Sequence, residues 1–244
     1  MTTDVLIQSR SKGVLALTLN RPAARNALNL ELARALTLAL TAFENDPELR
    51  VATLTGSDPA FCAGLDLKDF SAPDAPRHEV AALLDLVPNL SKPIIAAVNG
   101  AAMTGGLELA LGCDFIIAST LARFADTHTK IGALSGSGAT SRLPFAVGVR
   151  WGKQLSLTGQ PIDADTALRI GLVNELHAPE TLLAYVQDLA ECIASHDAHL
   201  VGTVKRVLDD GARSSLANAQ LLEKKALATS KLKGGMTWKS SRQG

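Results

Sequence analysis

Two glycines followed by a glutamate form the pattern in this sequence with the clearest chemical meaning. Gly105 and Gly106 stand at the predicted start of a helix, where the first backbone N–H groups lack intrahelical acceptors and the helix dipole favours negative charge. Glu108 follows within the first turn, close enough to act as a general base on a molecule that those donors hold. Glycines for close packing and a glutamate that complements the dipole explain the same pattern, so both interpretations stay open here.

A second glycine turn could add another donor to the same site. The segment from Phe61 to Asp66 joins a predicted strand to a turn at Gly64, and its backbone could contribute one more N–H group. Two donors aimed at one oxygen stabilise the negative charge that develops there during a reaction. The two turns together therefore indicate an oxyanion site with a carboxylate beside it.

The elements that must position these turns alternate between apolar strands and helices. Strands are predicted at residues 14–19, 51–55, 94–98 and 114–118, and helices at 28–43, 79–90 and 105–112. Uninterrupted apolar strands indicate a sheet covered on both faces, and their alternation with helices indicates right-handed β-α-β crossovers. The predicted fold class is α/β.

The second half of the sequence has mainly helical patterns. Helices are predicted near 137–147, 149–158 and 163–170, followed by an extended segment at 172–176. After Pro179 the pattern is almost entirely helical, with segments at 182–194, 200–210 and 216–229. We therefore expect a core over residues 1–195 and a C-terminal helical region over residues 196–244.

Composition and charge exclude several classes of function. The 244 residues carry 24 Lys and Arg against 24 Asp and Glu, so the positive field that nucleic-acid binding needs is missing. Three cysteines without Cys-x-x-Cys spacing suggest neither a disulfide framework nor a metal site, and they fit a reducing compartment. The longest uncharged stretch covers residues 93–107, which is shorter than the ~20 residues that cross a bilayer. We expect a cytoplasmic protein with no nucleic-acid or membrane partner.

Several ordered motifs resemble the crotonase superfamily, the enoyl-CoA hydratase/isomerase family. They are Phe61–Lys68 (FCAGLDLK), Lys92–Gly100 (KPIIAAVNG), Gly105–Asp114 (GGLELALGCD), Leu157–Gly159 (LTG) and Gly171–Glu175 (GLVNE). The resemblance implies a spiral core of repeated ββα turns and a C-terminal helical region for oligomer formation, in trimers or dimers of trimers. It also implies an acyl-CoA thioester as substrate, with no cofactor beyond the coenzyme A that the substrate carries.

The resemblance assigns binding roles to individual residues. The thioester oxygen would lie between the backbone N–H groups of Leu65 and Gly105. The candidates for substrate and coenzyme A binding are Ala24, Arg25, Ala63, Asp66 and Lys68. Arg25 and Lys68 could meet phosphates, although basic residues on loops are also commonly just solvated.

The resemblance also assigns the proton chemistry, with one departure from the family. Glu108 matches one of two family glutamates that hold and activate water, whereas the position of the second glutamate is occupied by His128. Histidine could give or take a proton near neutral pH, or it could only shape the acyl pocket. The sequence slightly favours the pocket role, because no carboxylate–histidine relay is evident beside it and Asp126 is a weaker catalytic candidate.

The function that follows is hydration of an enoyl-CoA. Water would add across the α,β double bond, Glu108 would activate the water, and the Leu65 and Gly105 donors would hold the enolate oxygen. The altered position 128 leaves two alternatives open. One is another reaction of this superfamily, such as double-bond isomerisation, and the other is an acyl-CoA binding protein without turnover.

Overall fold

The computed structural model of the chain describes residues 4–72 and 74–229. Its strands in chain order are β1 (Leu6–Ser11), β2 (Val14–Leu19), β3 (Val51–Gly56), β4 (Ala60–Cys62), β5 (Ile94–Val98), β6 (Ala101–Met103), β7 (Phe115–Ser119), β8 (Arg123–Ala125), β9 (Ile162–Asp163) and β10 (Glu175–His177). Its α-helices are α1 (Leu30–Asn45), α2 (Arg77–Leu86), α3 (Gly105–Gly112), α4 (Ala139–Thr158), α5 (Ala164–Arg169), α6 (Pro179–Ala194), α7 (Ala198–Ala212) and α8 (Leu216–Thr229). The predicted α/β class is confirmed.

The strands form two sheets. The larger sheet has the order β1-β2-β3-β5-β7-β10, and only its β1–β2 pair is antiparallel. That pair is a tight hairpin through Lys12 and Gly13, whose φ angles of 49° and 80° are those of a two-residue type I′ turn. The smaller sheet has the order β4-β6-β8-β9.

The two sheets are built by one repeated unit. In each of the pairs β3–β4, β5–β6 and β7–β8, the first strand joins the larger sheet and the second joins the smaller one. Each pair is followed along the chain by a helix, which is α2, α3 or α4. The core is therefore a succession of ββα turns.

Alternate residues of the central strands face two apolar cores. Leu54 and Ala96 belong to the larger core, which α1, α2 and α3 complete. Val51 and Ile95, on the same strands, pack instead against α6 at residues such as Val186. The larger sheet is thus covered on both faces, as its uninterrupted apolar strands predict.

Contacts divide the chain into two compact units, Met1–His196 and Asp197–Gly244. In the second unit α7 and α8 pack on each other. Both helices leave large apolar side chains exposed, namely Leu200, Val204, Leu208, Leu216, Leu221 and Leu227. Within the described ranges, no helix is both long and apolar enough to span a membrane.

The sequence predicts most of the helices and the apolar strands of the larger sheet, but it misses β1, whose side chains are mostly exposed, and the three-residue strands. The bounds of β2, β5 and α3 agree with the prediction, and Gly148, with φ of 78°, separates the two predicted helices that together make α4. The strands predicted from the sequence do not include β4, which lies between the predicted strand at 51–55 and the predicted helix at 79–90. They also do not include β6, which lies between the predicted strand at 94–98 and the predicted helix at 105–112. Strands of three residues are too short to show a period.

The loop between β2 and α1 is held in place by one buried amide. Asn26 is fully buried, and its Nδ2 donates to the carbonyl oxygens of Ser57, at 2.7 Å, and Ala60, at 2.6 Å. Its Oδ1 accepts from the backbone N–H of Arg21 at 2.9 Å. Since this loop carries Ala24 and Arg25, the amide fixes the candidate coenzyme A loop against the start of β4.

We predict that Asn26→Ala lowers the free energy of unfolding by about 2–4 kcal/mol, because buried carbonyl and N–H groups lose their partners. Urea denaturation followed by circular dichroism measures it. The matched control is Asn45→Ala, which removes an amide from the exposed end of α1 and should change stability by less than about 0.5 kcal/mol. Equal effects of the two substitutions would contradict the anchoring role.

Candidate active site

A cavity of 420 Å³ opens among the residues that the motifs single out. Its polar lining includes Thr104, Glu108, Thr127, His128 and Ser137, and its apolar lining includes Leu65, Leu67, Phe70, Val80, Leu84, Ile131 and Leu134. The polar groups come from α3 and from the segments that precede α3 and α4, whereas the apolar wall comes from the segment after β4, from α2 and from residues 131–134. The cavity can therefore hold an apolar chain with one reactive polar end.

The two glycine turns lie against each other at this cavity. A Cβ atom on Gly106 would lie 2.1 Å from the carbonyl oxygen of Cys62, and one on Gly105 would lie 3.5 Å from the Leu65 nitrogen. Only glycine permits the first approach, because no real Cβ atom packs that closely. The sequence thus brings the start of α3 into contact with the turn that follows β4.

The backbone N–H group of Leu65 points away from the adjacent segment that contains Leu28. Leu65 forms a parallel bridge with Leu28, in which Leu28 donates to the Gly64 carbonyl oxygen at 2.7 Å and Asp66 donates to the Leu28 carbonyl oxygen at 2.9 Å. Those bonds use the groups that flank Leu65, so its own N–H points to the other side. Gly105 is the first residue of α3, and its N–H has no intrahelical acceptor. Two adjacent turns therefore present free donors.

The residue before α3 has an unusual conformation. Thr104 has φ of 51°, a region that costs a β-branched residue of order 1–3 kcal/mol. Its hydroxyl forms a hydrogen bond with the hydroxyl of Thr127, and its backbone N–H donates to the carbonyl oxygen of Ala125 at 2.8 Å. These contacts tie the start of α3 to the segment that carries His128.

Glu108 is almost completely buried, with 2% of its surface exposed, and one of its oxygens is fully engaged. Oε1 accepts from the Ser135 hydroxyl at 2.5 Å, from the Ser137 N–H at 3.3 Å and from the Ala139 N–H at 3.2 Å. These donors belong to the first residue of α4 and the turn before it, where backbone N–H groups favour a carboxylate. Oε2 is the oxygen left to face the cavity.

His128 lies between two carboxylates. Its Nε2 is 3.9 Å from Oε2 of Glu108, and its Nδ1 is 2.6 Å from Oδ1 of Asp126. The same Oδ1 accepts from the backbone N–H of His128 at 3.3 Å, which makes Asp126 the first residue of an Asx turn. The structure therefore brings the two predicted catalytic residues together and adds Asp126 behind them.

This arrangement shifts two pKa values. The hydrogen bond to Asp126 is the main cause that raises the pKa of His128; burial opposes it, and the charges of Glu108 and Asp126 add to it. For Asp126, burial alone would raise the pKa, but hydrogen bonds from His128 and Ser156 outweigh burial and the net shift is downward. Both shifts favour an imidazolium paired with a carboxylate.

The candidate binding residues lie beside the Leu65 turn. Ala63 lines the cavity, and its N–H donates to the Arg25 carbonyl oxygen at 3.0 Å. Asp66 pairs with Arg21 at 2.9 Å and also accepts from the Lys68 N–H at 3.2 Å, so its carboxylate joins the two loops. Ala24 is half-buried, and Arg25 and Lys68 are exposed. Their contact with coenzyme A stays a prediction.

Cys62 lies beside the two glycine turns, and its thiol is completely buried. Burial raises the pKa of its thiol to about 12, so the reactive thiolate is scarce near neutral pH. Over the described residues, no group of three or more His, Cys, Asp or Glu side chains is arranged to hold a metal ion. The titratable side chains that line the cavity are Glu108, His128 and Arg77.

Sequence reasoning missed the partners of both candidate catalytic residues. The Asp126–His128 hydrogen bond is the carboxylate–histidine contact that the sequence did not reveal, although an Asp two residues before a His in a loop is the pattern of an Asx turn. No comparable signal exists for Ser135, which lies 27 residues from Glu108 along the chain.

Comparisons with known proteins agree with this geometry. The sequence profile of the enoyl-CoA hydratase/isomerase family matches residues 9–238. A crotonyl-CoA hydratase from Syntrophomonas wolfei is 38% identical over 97% of this chain and 95% of its own length. The mitochondrial enoyl-CoA hydratase of Pongo abelii is 38% identical over 96% of this chain and 83% of its own length.

Solved structures give the same result for the fold. The enoyl-CoA hydratase of Bacillus anthracis superposes with a TM-score of 0.88 at 35% identity, covering 92% of this chain and 90% of that chain. The enoyl-CoA hydratase of Mycobacterium tuberculosis superposes with a TM-score of 0.78 at 41% identity, covering 92% and 98%. The chain belongs to the enoyl-CoA hydratase/isomerase family, and the predicted crotonase fold is confirmed.

Proposed function

We propose that this chain is an enoyl-CoA hydratase, which adds water across the α,β double bond of an acyl-CoA thioester. The observation that carries the proposal is the pair formed by Glu108 Oε2 and His128 Nε2, 3.9 Å apart at the polar end of an apolar cavity. The hydratases among its relatives support the same activity.

The Leu65 and Gly105 N–H groups hold the thioester oxygen. When a nucleophile adds at Cβ, electrons of the double bond move onto that oxygen, and the two donors stabilise the resulting enolate. Each donor of this kind is worth about 10²–10³ in rate. The apolar wall from α2 and from residues 131–134 takes the acyl chain.

Glu108 and His128 divide the proton transfers. Glu108 Oε2 takes a proton from water as the water oxygen bonds to Cβ, and its other oxygen stays fixed by Ser135 and the start of α4. His128 gives its Nε2 proton to Cα as the enolate collapses. Glu108 then returns its proton to His128 through a water molecule, so the net change is the addition of one water.

The product identifies the reaction. Crotonyl-CoA incubated with the protein should lose the absorbance of its conjugated double bond. The mass of the product should exceed that of crotonyl-CoA by about 18 units, which is the mass of one water molecule. An unchanged mass with a shifted double bond would establish isomerisation instead. Binding without any product would leave the non-catalytic alternative.

Glu108→Gln keeps the size of the side chain but removes its basicity. Turnover of crotonyl-CoA should fall by roughly 10²–10⁴-fold, while thioester affinity by calorimetry stays nearly the same. The matched control is Glu79→Gln on α2, whose carboxylate pairs with Arg34 at 2.7 Å away from the cavity lining, and its turnover should be unchanged. Unaltered turnover in Glu108→Gln would contradict the assignment of the base.

We also propose that the protein assembles as a trimer or a dimer of trimers. The apolar side chains that α7 and α8 expose, such as Leu208 and Leu216, support burial against further copies, because contiguous exposed apolar surface marks an interface. Light scattering at micromolar concentration should give a mass of three or six times 25.5 kDa. A single-chain mass across that range would refute the assembly.

The cytoplasm is the compartment that we propose. Its reducing environment suits the free thiols of Cys62, Cys113 and Cys192.

A further inference from the structure

One buried carboxylate in the site takes no part in the proton transfers described above. The side chain of Asp126 is 2% exposed, and it lies directly after β8 on the side of His128 away from Glu108. A buried carboxylate without a partner would be costly. Hydrogen bonds from His128 and Ser156 stabilise the buried carboxylate of Asp126. The role of Asp126 therefore follows from these two partners.

The short contact to Nδ1 determines which nitrogen of His128 is available. A carboxylate can only accept a hydrogen bond, so the 2.6 Å distance between Oδ1 and Nδ1 places a proton on Nδ1. The other nitrogen, Nε2, is then the one directed at Glu108 and the cavity. Asp126 thus fixes both the orientation of the ring and the identity of the nitrogen that exchanges protons.

The charges around His128 are few. Asp126 faces it from its own segment and Glu108 faces it from α3. Arg77 of α2 lines the same cavity, and the groups from the start of α4 and the turn before it, such as Ser137, are neutral. Two negative groups flank the imidazole, which favours its charged form.

We propose that Asp126 is a positioning residue that holds His128 as an imidazolium with Nε2 directed at Glu108. Together, Asp126 and His128 supply the acid that the second family glutamate supplies elsewhere. The inference rests on the proposed hydratase function, because the acid acts on a hydration intermediate. It differs from a purely structural Asx turn, in which the charge of Asp126 would not matter.

Asp126→Asn separates these two roles. The amide keeps the size of the side chain and its Oδ1 can still accept from the backbone N–H of His128, so the turn is retained. The negative charge is lost, and the second carboxylate oxygen becomes an N–H₂ group, from which the Ser156 hydroxyl can accept a hydrogen bond. A matched control is Asp46→Asn, since Asp46 forms the same kind of turn by accepting from the Glu48 N–H at 2.9 Å outside the cavity.

The first measurement needs no substrate. Imidazole ¹⁵N NMR of histidine-labelled protein, with His128 assigned by its loss in His128→Gln, gives its tautomer and its titration. We expect wild-type His128 to titrate above the ordinary imidazole range and Asp126→Asn to lower that midpoint, because the carboxylate that stabilises the imidazolium is gone. Asp46→Asn should leave it in place. If Asp126→Asn does not fold, Asp126→Ser supplies the same comparison.

The second measurement follows the hydration rate against pH. Activity that needs the imidazolium is present below the pKa of His128 and is lost as pH rises through it. Asp126→Asn should therefore move the alkaline limb of the kcat/KM profile to lower pH. At a pH above both midpoints, each pH unit by which the limb moves lowers the activity about tenfold. In the His128→Gln background, the same substitution should have no further effect on kcat.

The two readouts separate the inference from the proposed function. If Asp126→Asn lowers the NMR titration midpoint of His128 but the wild-type protein does not hydrate crotonyl-CoA, the pairing of Asp126 with His128 is supported and the hydratase function is contradicted. If crotonyl-CoA is hydrated but the NMR midpoint and the alkaline limb are the same in wild type and Asp126→Asn, the positioning role is overturned. An equal loss of kcat in both backgrounds would also overturn it.

Discussion

The structure depends on the close approach between the start of α3 and the end of β4. No side chain fits at Gly106, because the Cys62 carbonyl oxygen occupies the place of its Cβ atom. This contact sets the Gly105 and Leu65 donors side by side, and it directs Glu108, less than one turn further along α3, at the cavity. A helix even slightly displaced from β4 would separate the donors from the base.

The smaller sheet and α4 make this approach stable. β6 lies between β4 and β8 in that sheet, so the chain segments that lead to Leu65, Gly105 and His128 leave neighbouring strands. The donors before and at the start of α4 then fix Oε1 of Glu108. The polar end of the cavity is thus built from the ends of adjacent elements, and α2 adds part of the apolar wall.

Sequence patterns predicted the strands and helices that are long enough to show a continuous apolar run or a helical period. β3 and β5 are long and uninterrupted in their apolar character, so they could be predicted, and Gly105 and Gly106 marked the start of α3. β4 and β6 could not, because three residues carry no period. Glu108 was found from its place in the first turn after Gly105 and Gly106, and His128 was found because the family resemblance puts it at the position of the second glutamate. The contact of Ser135 with Glu108 joins residues far apart in the chain, which no local spacing encodes.

The central claim is that Glu108 activates water while His128 exchanges the proton at Cα. A saturated thioester such as butyryl-CoA isolates the second step, because it has no double bond to hydrate but can still form the enolate. In D₂O, at a pH above the His128 midpoint where its neutral Nε2 can take a proton, mass spectrometry should find deuterium entering at Cα with wild-type protein and with Glu108→Gln, but not with His128→Gln. Exchange that survives in His128→Gln and is lost in Glu108→Gln would contradict the account.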